Sequence, residues 1–214
     1  DTSNNFKLND TIVTVANTPP AGLSVIVPTI NQFTNKQPFG LNVTFQNDPD
    51  GDTTTINYYI DGTLNGSTTT NTTINASDGY YLLNVSITDG TDHHSNTSIN
   101  FTIDIINPNI TLLSPVNASA STNGNITFIY NVTDTNKITS CDLITNNILN
   151  LTNTSITRNI TQNFTLTNVS ASSINWSINC TDQASNMGNS VFRNVVVSLA
   201  TDFNGTTTDL TTVD

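Results

Sequence analysis

Ser173–Asp182 reads SINWSINCTD. Trp176, Ile178 and Cys180 fall on one side of an extended chain, and Asn175, Ser177, Asn179 and Thr181 on the other. Side chains of a strand alternate faces with a period of two, so the stretch is a half-buried strand. Its outward face carries two N-x-[ST] glycosylation sequons, Asn175-Trp-Ser and Asn179-Cys-Thr. Its inward face carries one of the two cysteines of the chain. The pattern implies a sandwich core, an oxidising compartment and a sugar-bearing surface.

The same alternation recurs on both sides. Upstream stand LSVIV (Leu23–Val27), LNVTF (Leu41–Phe45), TTINYYI (Thr54–Ile60), YYLLNVSIT (Tyr80–Thr88) and SINFTIDII (Ser98–Ile106). Turn clusters at Asp48–Asp52, Asp61-Gly62 and Asp89–Asp92 separate them, and Asp-Gly between extended runs is a strong hairpin signal. After Asn107-Pro108 the pattern restarts with NITLLS, NITFIYNVT, SCDLIT, NFTLT, the opening stretch and VFRNVVVSL. Short strands at this spacing predict an all-β fold of two tandem antiparallel sandwiches. We divide the chain into an N-terminal arm (1–22), a first sandwich (23–106), a second (107–200) and a polar tail or linker (201–214).

The halves repeat one another. LLNVSITD (Leu82–Asp89) lies on NWSINCTD (Asn175–Asp182), so Ile87 matches Cys180 and Asp89 matches Asp182. Val27-Pro28 lies on Ser114-Pro115, and Tyr58 is expected near the position of Cys141. A repeat of this length is one domain used twice.

The 214 residues are 35% hydrophobic and 10% charged, against about 45–50% and 25% in ordinary globular chains. Asn and Thr fill the difference. The net charge is −11, and the five cations, Lys7, Lys36, Lys137, Arg158 and Arg193, are scattered. Nucleic acid and an anionic membrane surface both need clustered cations, so neither is an expected partner. No apolar run approaches the ~20 residues of a spanning helix. A start without a signal segment reads as a processed end or a piece of a longer exported protein.

About twenty sequons dominate the chain: Asn9, Asn42, Asn65, Asn71, Asn75, Asn84, Asn96, Asn100, Asn109, Asn117, Asn125, Asn131, Asn150, Asn153, Asn159, Asn163, Asn168, Asn175, Asn179 and Asn204. An Asn- and Thr-rich chain makes some by chance, and polar strand filler is the alternative reading. Position argues for covalent glycans, because many of these residues sit opposite the apolar face of their strand. With such a surface, Cys141 and Cys180 are expected to form a disulfide, the alternative being two buried thiols.

Asp48-Pro-Asp50-Gly-Asp52 sets hard oxygen ligands at alternate positions around a tight turn, a pattern that suits a structural Ca²⁺. The EF-hand spacing fails, since Tyr59 occupies the twelfth position, and an Asp-rich hairpin turn is the alternative. No other cofactor is expected. His93-His94 is the one histidine pair, placed by the sequence in a solvated loop tip. No nucleophile elbow, H-E-x-x-H, phosphate loop or C-x-x-C occurs, so an enzyme is not expected.

DTIVTVA (Asp10–Ala16) is β-prone and set off by Pro19 and Pro20. A strand near a terminus can add to the sheet of a neighbouring copy, with Ile12, Val13 and Val15 filling pockets. The alternative is the first strand of its own domain.

ITLLSPVNAS, NITFIYNVTD, SCDL and INWSINCTDQASNMGNS resemble the immunoglobulin-like repeats of archaeal and bacterial cell-surface proteins. NDPDGDTTTINYYIDG and YYLLNVSITDG resemble polycystic-kidney-disease-type and cadherin-like surface repeats. The resemblance spans roughly residues 23–200. It implies an extracellular glycoprotein of a surface appendage or surface layer, archaeal in type, whose partners are further copies of itself. The favoured role is a subunit of a filament, pilus or surface lattice that assembles head to tail by strand donation. The alternative role is an adhesin or spacer module of a larger surface protein. Trp176 shares its strand with Cys180, unlike the antibody arrangement, where the tryptophan comes from a different strand.

Overall fold

The computed structural model describes residues 16–91 and 93–199, apart from the side chains of 93–96. Every regular element among them is a strand. The chain forms two compact units, 16–32 with 36–103, and 33–35 with 104–199.

The first unit holds β1 (Ser24–Val27), β3 (Phe39–Thr44), β4 (Thr55–Ile60), β5 (Thr63–Thr68), β6 (Thr72–Ile74), β7 (Gly79–Thr88) and β8 (His93–Ile103), with β2 (Gln32–Thr34) at the division. One sheet runs β1-β3-β6, and the other carries β8-β7-β4-β5. Asp61-Gly62 makes the β4–β5 hairpin, both residues at positive φ (49° and 80°), as the primed two-residue turn requires. Leu41, Val43, Ile56, Ile74, Leu83, Val85, Ile87, Phe101 and Ile103 form the core between the sheets.

The second unit holds β9 (Asn109–Ser114), β10 (Ser119–Ser121), β11 (Ile126–Thr133), β12 (Ile138–Thr145), β13 (Ile148–Asn153), β14 (Gln162–Leu166), β15 (Ser172–Asp182), β16 (Met187–Asn189) and β17 (Arg193–Val197). One sheet is β14-β11-β9. The other is β10-β17-β15-β12-β13, with β16 also on β15. β15 contains the opening stretch and is central. Trp176, Ile178 and Cys180 are buried, and Trp176 meets Phe128 edge to face at 4.9 Å. Gly188 of β16 packs where an added Cβ would strike the Pro108 carbonyl, so only glycine lets these backbones approach.

Cys141 and Cys180 form a disulfide. They are directly opposite in the β12–β15 ladder, so the bond staples neighbouring strands of one sheet. The repeat register corrects one expectation. Ile87, the counterpart of Cys180, pairs with Ile56, and Tyr58 pairs with Val85. Ile56 therefore fills the place of Cys141, and an Ile–Ile contact replaces the staple. His93 and His94 also differ from expectation. Their backbone belongs to β8, opposite Thr88 and Ile87, and not to a loop tip.

Tyr130 stacks on Phe164 at 5.7 Å, and its hydroxyl is buried with no hydrogen-bond partner. Burial, with a smaller contribution from the charge of Asp142, pushes the phenol pKa up. A buried polar atom left unpaired costs about 1–3 kcal/mol. Tyr130→Phe removes that atom and keeps the ring, so urea unfolding should show a gain of about 1 kcal/mol. A loss of stability would show that the hydroxyl has a partner in solution.

Candidate functional site

Three carboxylates meet at one end of the second unit. Asp104 opens the unit, Asp134 follows β11 and Asp182 ends β15. Each offers an oxygen within 4.8 Å of the others. Oxygens around one Ca²⁺ at 2.3–2.6 Å stand at most about 5 Å apart, so the spacing fits a single hard cation. Asp104 and Asp182 are buried (0% and 2% exposed), and Asp134 is partly buried.

The strands dictate this meeting. Asp182 ends a strand whose buried alternation passes through Trp176, Ile178 and Cys180, so it arrives on the core side. Asn186 then folds back over it. The Asn186 backbone N–H donates to Asp182 Oδ1 at 2.9 Å, and its Nδ2 donates to Oδ2 at 2.8 Å and to the Asp104 carbonyl at 2.8 Å. Asn136 Nδ2 donates to Asp104 Oδ2 at 2.8 Å, and the Ile106 N–H to Asp104 Oδ1 at 3.2 Å. The Asn136 N–H donates to Asp134 Oδ1 at 2.6 Å. The donors that reach Asp104 and Asp182 are thus neutral amides. Burial holds the Asp104 carboxyl above its ordinary range, the charges of Asp182 and Asp134 add to this, and the bonds from Asn136 and Ile106 oppose it.

The first unit answers the same position differently. The register that lays Val27-Pro28 on Ser114-Pro115 lays Asn17 on Asp104. Asn17 Nδ2 donates to Asp89 Oδ2 at 2.8 Å, and Asp89 is the repeat counterpart of Asp182. An amide–carboxylate pair in one repeat is therefore a carboxylate–carboxylate pair in the next. Substituting a donor by a second anion calls for a shared proton or an outside cation.

Asp48, Asp50 and Asp52 do not converge in this way; among the described residues, the Asp104–Asp134–Asp182 group alone brings three such ligands together. Asp48 Oδ1 accepts from the N–H groups of Asp50 (2.9 Å) and Asp52 (3.3 Å), closing the turn on itself. Asp50 Oδ2 accepts from the Thr18 N–H at 2.5 Å, and Gln46 N–H donates to the Ala21 carbonyl at 2.9 Å. With the Asn17–Asp89 bond, these contacts fix residues 17–21 to the first unit. Asp92 and arm residues Ile12, Val13 and Val15 lie outside the described residues.

None of the sequon asparagines whose side chains are described is buried. Asn42, Asn125, Asn163 and Asn175 are exposed on strands or beside them, and Asn84, Asn100, Asn131 and Asn179 are partly exposed. Asn65, Asn71, Asn75, Asn109, Asn117, Asn150, Asn159 and Asn168 are exposed at strand ends, edges and loops, and Asn153 is partly so. Asn9, Asn204 and the side chain of Asn96 lie outside the described residues.

No protein-family model matches the chain, and no curated protein is similar to it. Solved structures are. The fibronectin(III)-like modules of Clostridium thermocellum CbhA share 14% identity at a TM-score of 0.50, covering 84% of this chain and 95% of theirs. The chicken CNTN1 FN1-FN3 domains share 8% at 0.40 (85% and 68% covered), and the tandem Ig repeats of Dlar 10% at 0.32 (86% and 100%). With the two-unit architecture, the first of these likenesses defines the class: a tandem repeat of immunoglobulin-like β-sandwiches. Among the described residues no helix is long and apolar enough to cross a membrane.

Proposed function

We propose that the chain is a non-catalytic structural subunit of an extracellular, N-glycosylated filament, pilus or surface lattice of archaeal type. It assembles head to tail with copies of itself, each arm adding the strand Asp10–Ala16 to a neighbour. The carrying observation is the surface. In both sandwiches no sequon asparagine whose side chain is described is a buried residue, while the apolar alternation supplies two cores. Covalent glycans at such positions shield a sandwich with few charges from proteases and from unwanted edge pairing. The Cys141–Cys180 bond fits an oxidising compartment. Ca²⁺ at Asp104, Asp134 and Asp182 supplies stiffness to the second repeat.

Two measurements test the reading. Mass spectrometry of native material should find glycans on many sequons, Asn163 and Asn175 among them; a bare polypeptide overturns the glycoprotein assignment. Electron microscopy should show filaments or sheets that vanish when residues 1–16 are deleted. Polymers that survive the deletion refute strand donation, and single particles from the intact chain favour the spacer or adhesin role.

A further inference from the structure

β13 (Ile148–Asn153) is an open sheet edge. It pairs with β12 alone, and among the described residues no further backbone bond engages it. Natural edges are blunted by lysine, proline or an inward charge, because a bare row of N–H and C=O groups templates pairing with another chain. β13 reads ILNLTN, with no charge and no proline. Ile148, Leu149 and Leu151 are 69%, 58% and 36% exposed. Other edges are less apolar: β5 exposes Leu64, β1 exposes Ile26 and β9 exposes Leu113, one large apolar residue each.

Both faces of β13 offer apolar contact. Ile148 and Leu151 pair with Thr145 and Leu143 on the core side, and Leu149 pairs with Ile144 on the other. The ladder shifts once, at Asn150, whose Nδ2 donates to Thr145 Oγ1 at 3.1 Å. That shift is a bulge, the one edge-blunting device within the strand itself. Asn150 and Asn153 of this strand are sequons, so pairing along β13 requires both to be without glycan.

We infer that β13 is the acceptor edge for the strand Asp10–Ala16 of a neighbouring copy. The inference rests on the strand-donation reading above and names its missing half. The occupant is argued from length, pattern and charge. Six residues of β13 match the seven-residue run DTIVTVA. Added as a strand, the run would set Ile12 on one face and Val13 and Val15 on the other, giving both sides of the new ladder apolar pairs with Ile148, Leu151 and Leu149. The run has one charge, Asp10 at its end, and the edge has none, so an acidic chain can approach its own copy there without like charges facing in the ladder. The root of the arm is fixed by the Asn17–Asp89 and Thr18–Asp50 bonds, so the donor starts from an anchored point.

The test uses the full chain. Val13→Cys protein mixed with Leu149→Cys protein should give oxidised heterodimers at least tenfold above either variant alone. Leu149→Lys with Leu151→Lys should cut the polymer fraction at least tenfold while Trp176 fluorescence and the melting curve stay unchanged. Polymers that persist in that folded lysine variant, or an absence of heterodimers, overturn the inference. Leu149→Cys dimers formed without the arm cysteine show edge-to-edge pairing of two β13 strands and also overturn it. If deleting residues 1–16 abolishes polymers and the lysine pair does not, strand donation stands and β13 is the wrong acceptor. If neither change affects polymers, the donation reading itself fails.

Discussion

Replacing Cys141 and Cys180 together by alanine lowers the stability of the second unit by about 4 kcal/mol, the loop-closure value for a cross-link of this span. The bond closes a loop between residues 39 apart. Without it, the unfolded chain regains the conformations that the closed loop forbade, and the folded state regains nothing. Both sulfurs are buried in a core with Trp176, Ile178 and Leu143, so the alanines also leave a small void. Trp176 is the one tryptophan of the chain and lies in this core, so its fluorescence reports the second unit alone. Its urea midpoint should fall sharply, while the far-ultraviolet signal of the first unit, closed by Ile56 and Ile87, keeps its own midpoint. Reducing the parent under the same conditions should reproduce most of the loss, which separates the staple from the void. A loss below about 1 kcal/mol would show that the unfolded chain is already compact between these positions.

Strands with one buried face were legible in the sequence because burial writes itself as alternation. β3, β4, β7, β9, β11, β12, β14, β15 and β17 all lie within or across a stretch read that way. The strands that escaped show no such alternation. β6, β10 and β16 are three residues each, too short for a period to show. β5 and β13 are edge strands exposed on both sides, so their residues answer to hairpin pairing and not to a core. The candidate site was hidden for a different reason. Asp48-Pro-Asp-Gly-Asp is conspicuous because its carboxylates are neighbours in sequence, yet Asp48 Oδ1 is spent on N–H groups of its own turn and Asp50 Oδ2 on Thr18. Asp104, Asp134 and Asp182 come from three separate strand ends, and topology alone joins them. One sequence signal did exist: Thr181-Asp182 repeats Thr88-Asp89, and the separate register that lays Val27-Pro28 on Ser114-Pro115 sets Asp104 over Asn17. Read together, those two matches place a carboxylate where the first repeat has an amide. The Tyr58 expectation failed by two residues, the smallest slip that keeps a side chain on its face.

Calcium at a hundred times its dissociation constant should stabilise the second unit by about 2.7 kcal/mol, and Asp104→Asn should abolish that gain. Two buried carboxylates and a third beside them share a space in which Asp104 and Asp182 receive only neutral amide donors. Burial first, then Asp182 and Asp134, raise the Asp104 pKa above its ordinary 3.8. A carboxyl raised on folding favours the folded state when protonated. Its contribution is fully present below the unfolded value and is lost as pH rises through the raised folded value. In chelator, then, the parent should lose stability from the ordinary carboxylate range upward until Asp104 is fully ionised. Asp104→Asn, which keeps an acceptor for Asn136 and gains a donor toward its acidic neighbours, should be flat across that window and at least as stable as the parent near neutrality. Calcium reverses the ordering, because the cation supplies the charge that the ionised parent lacks, and protons compete with it as the pH falls. Thermal unfolding followed through Trp176, with and without calcium at several pH values, reads all of this in one series. A parent indifferent to calcium, or a variant that gains as much as the parent, would show that the three carboxylates are a structural knot held by Asn136 and Asn186 and not a cation site.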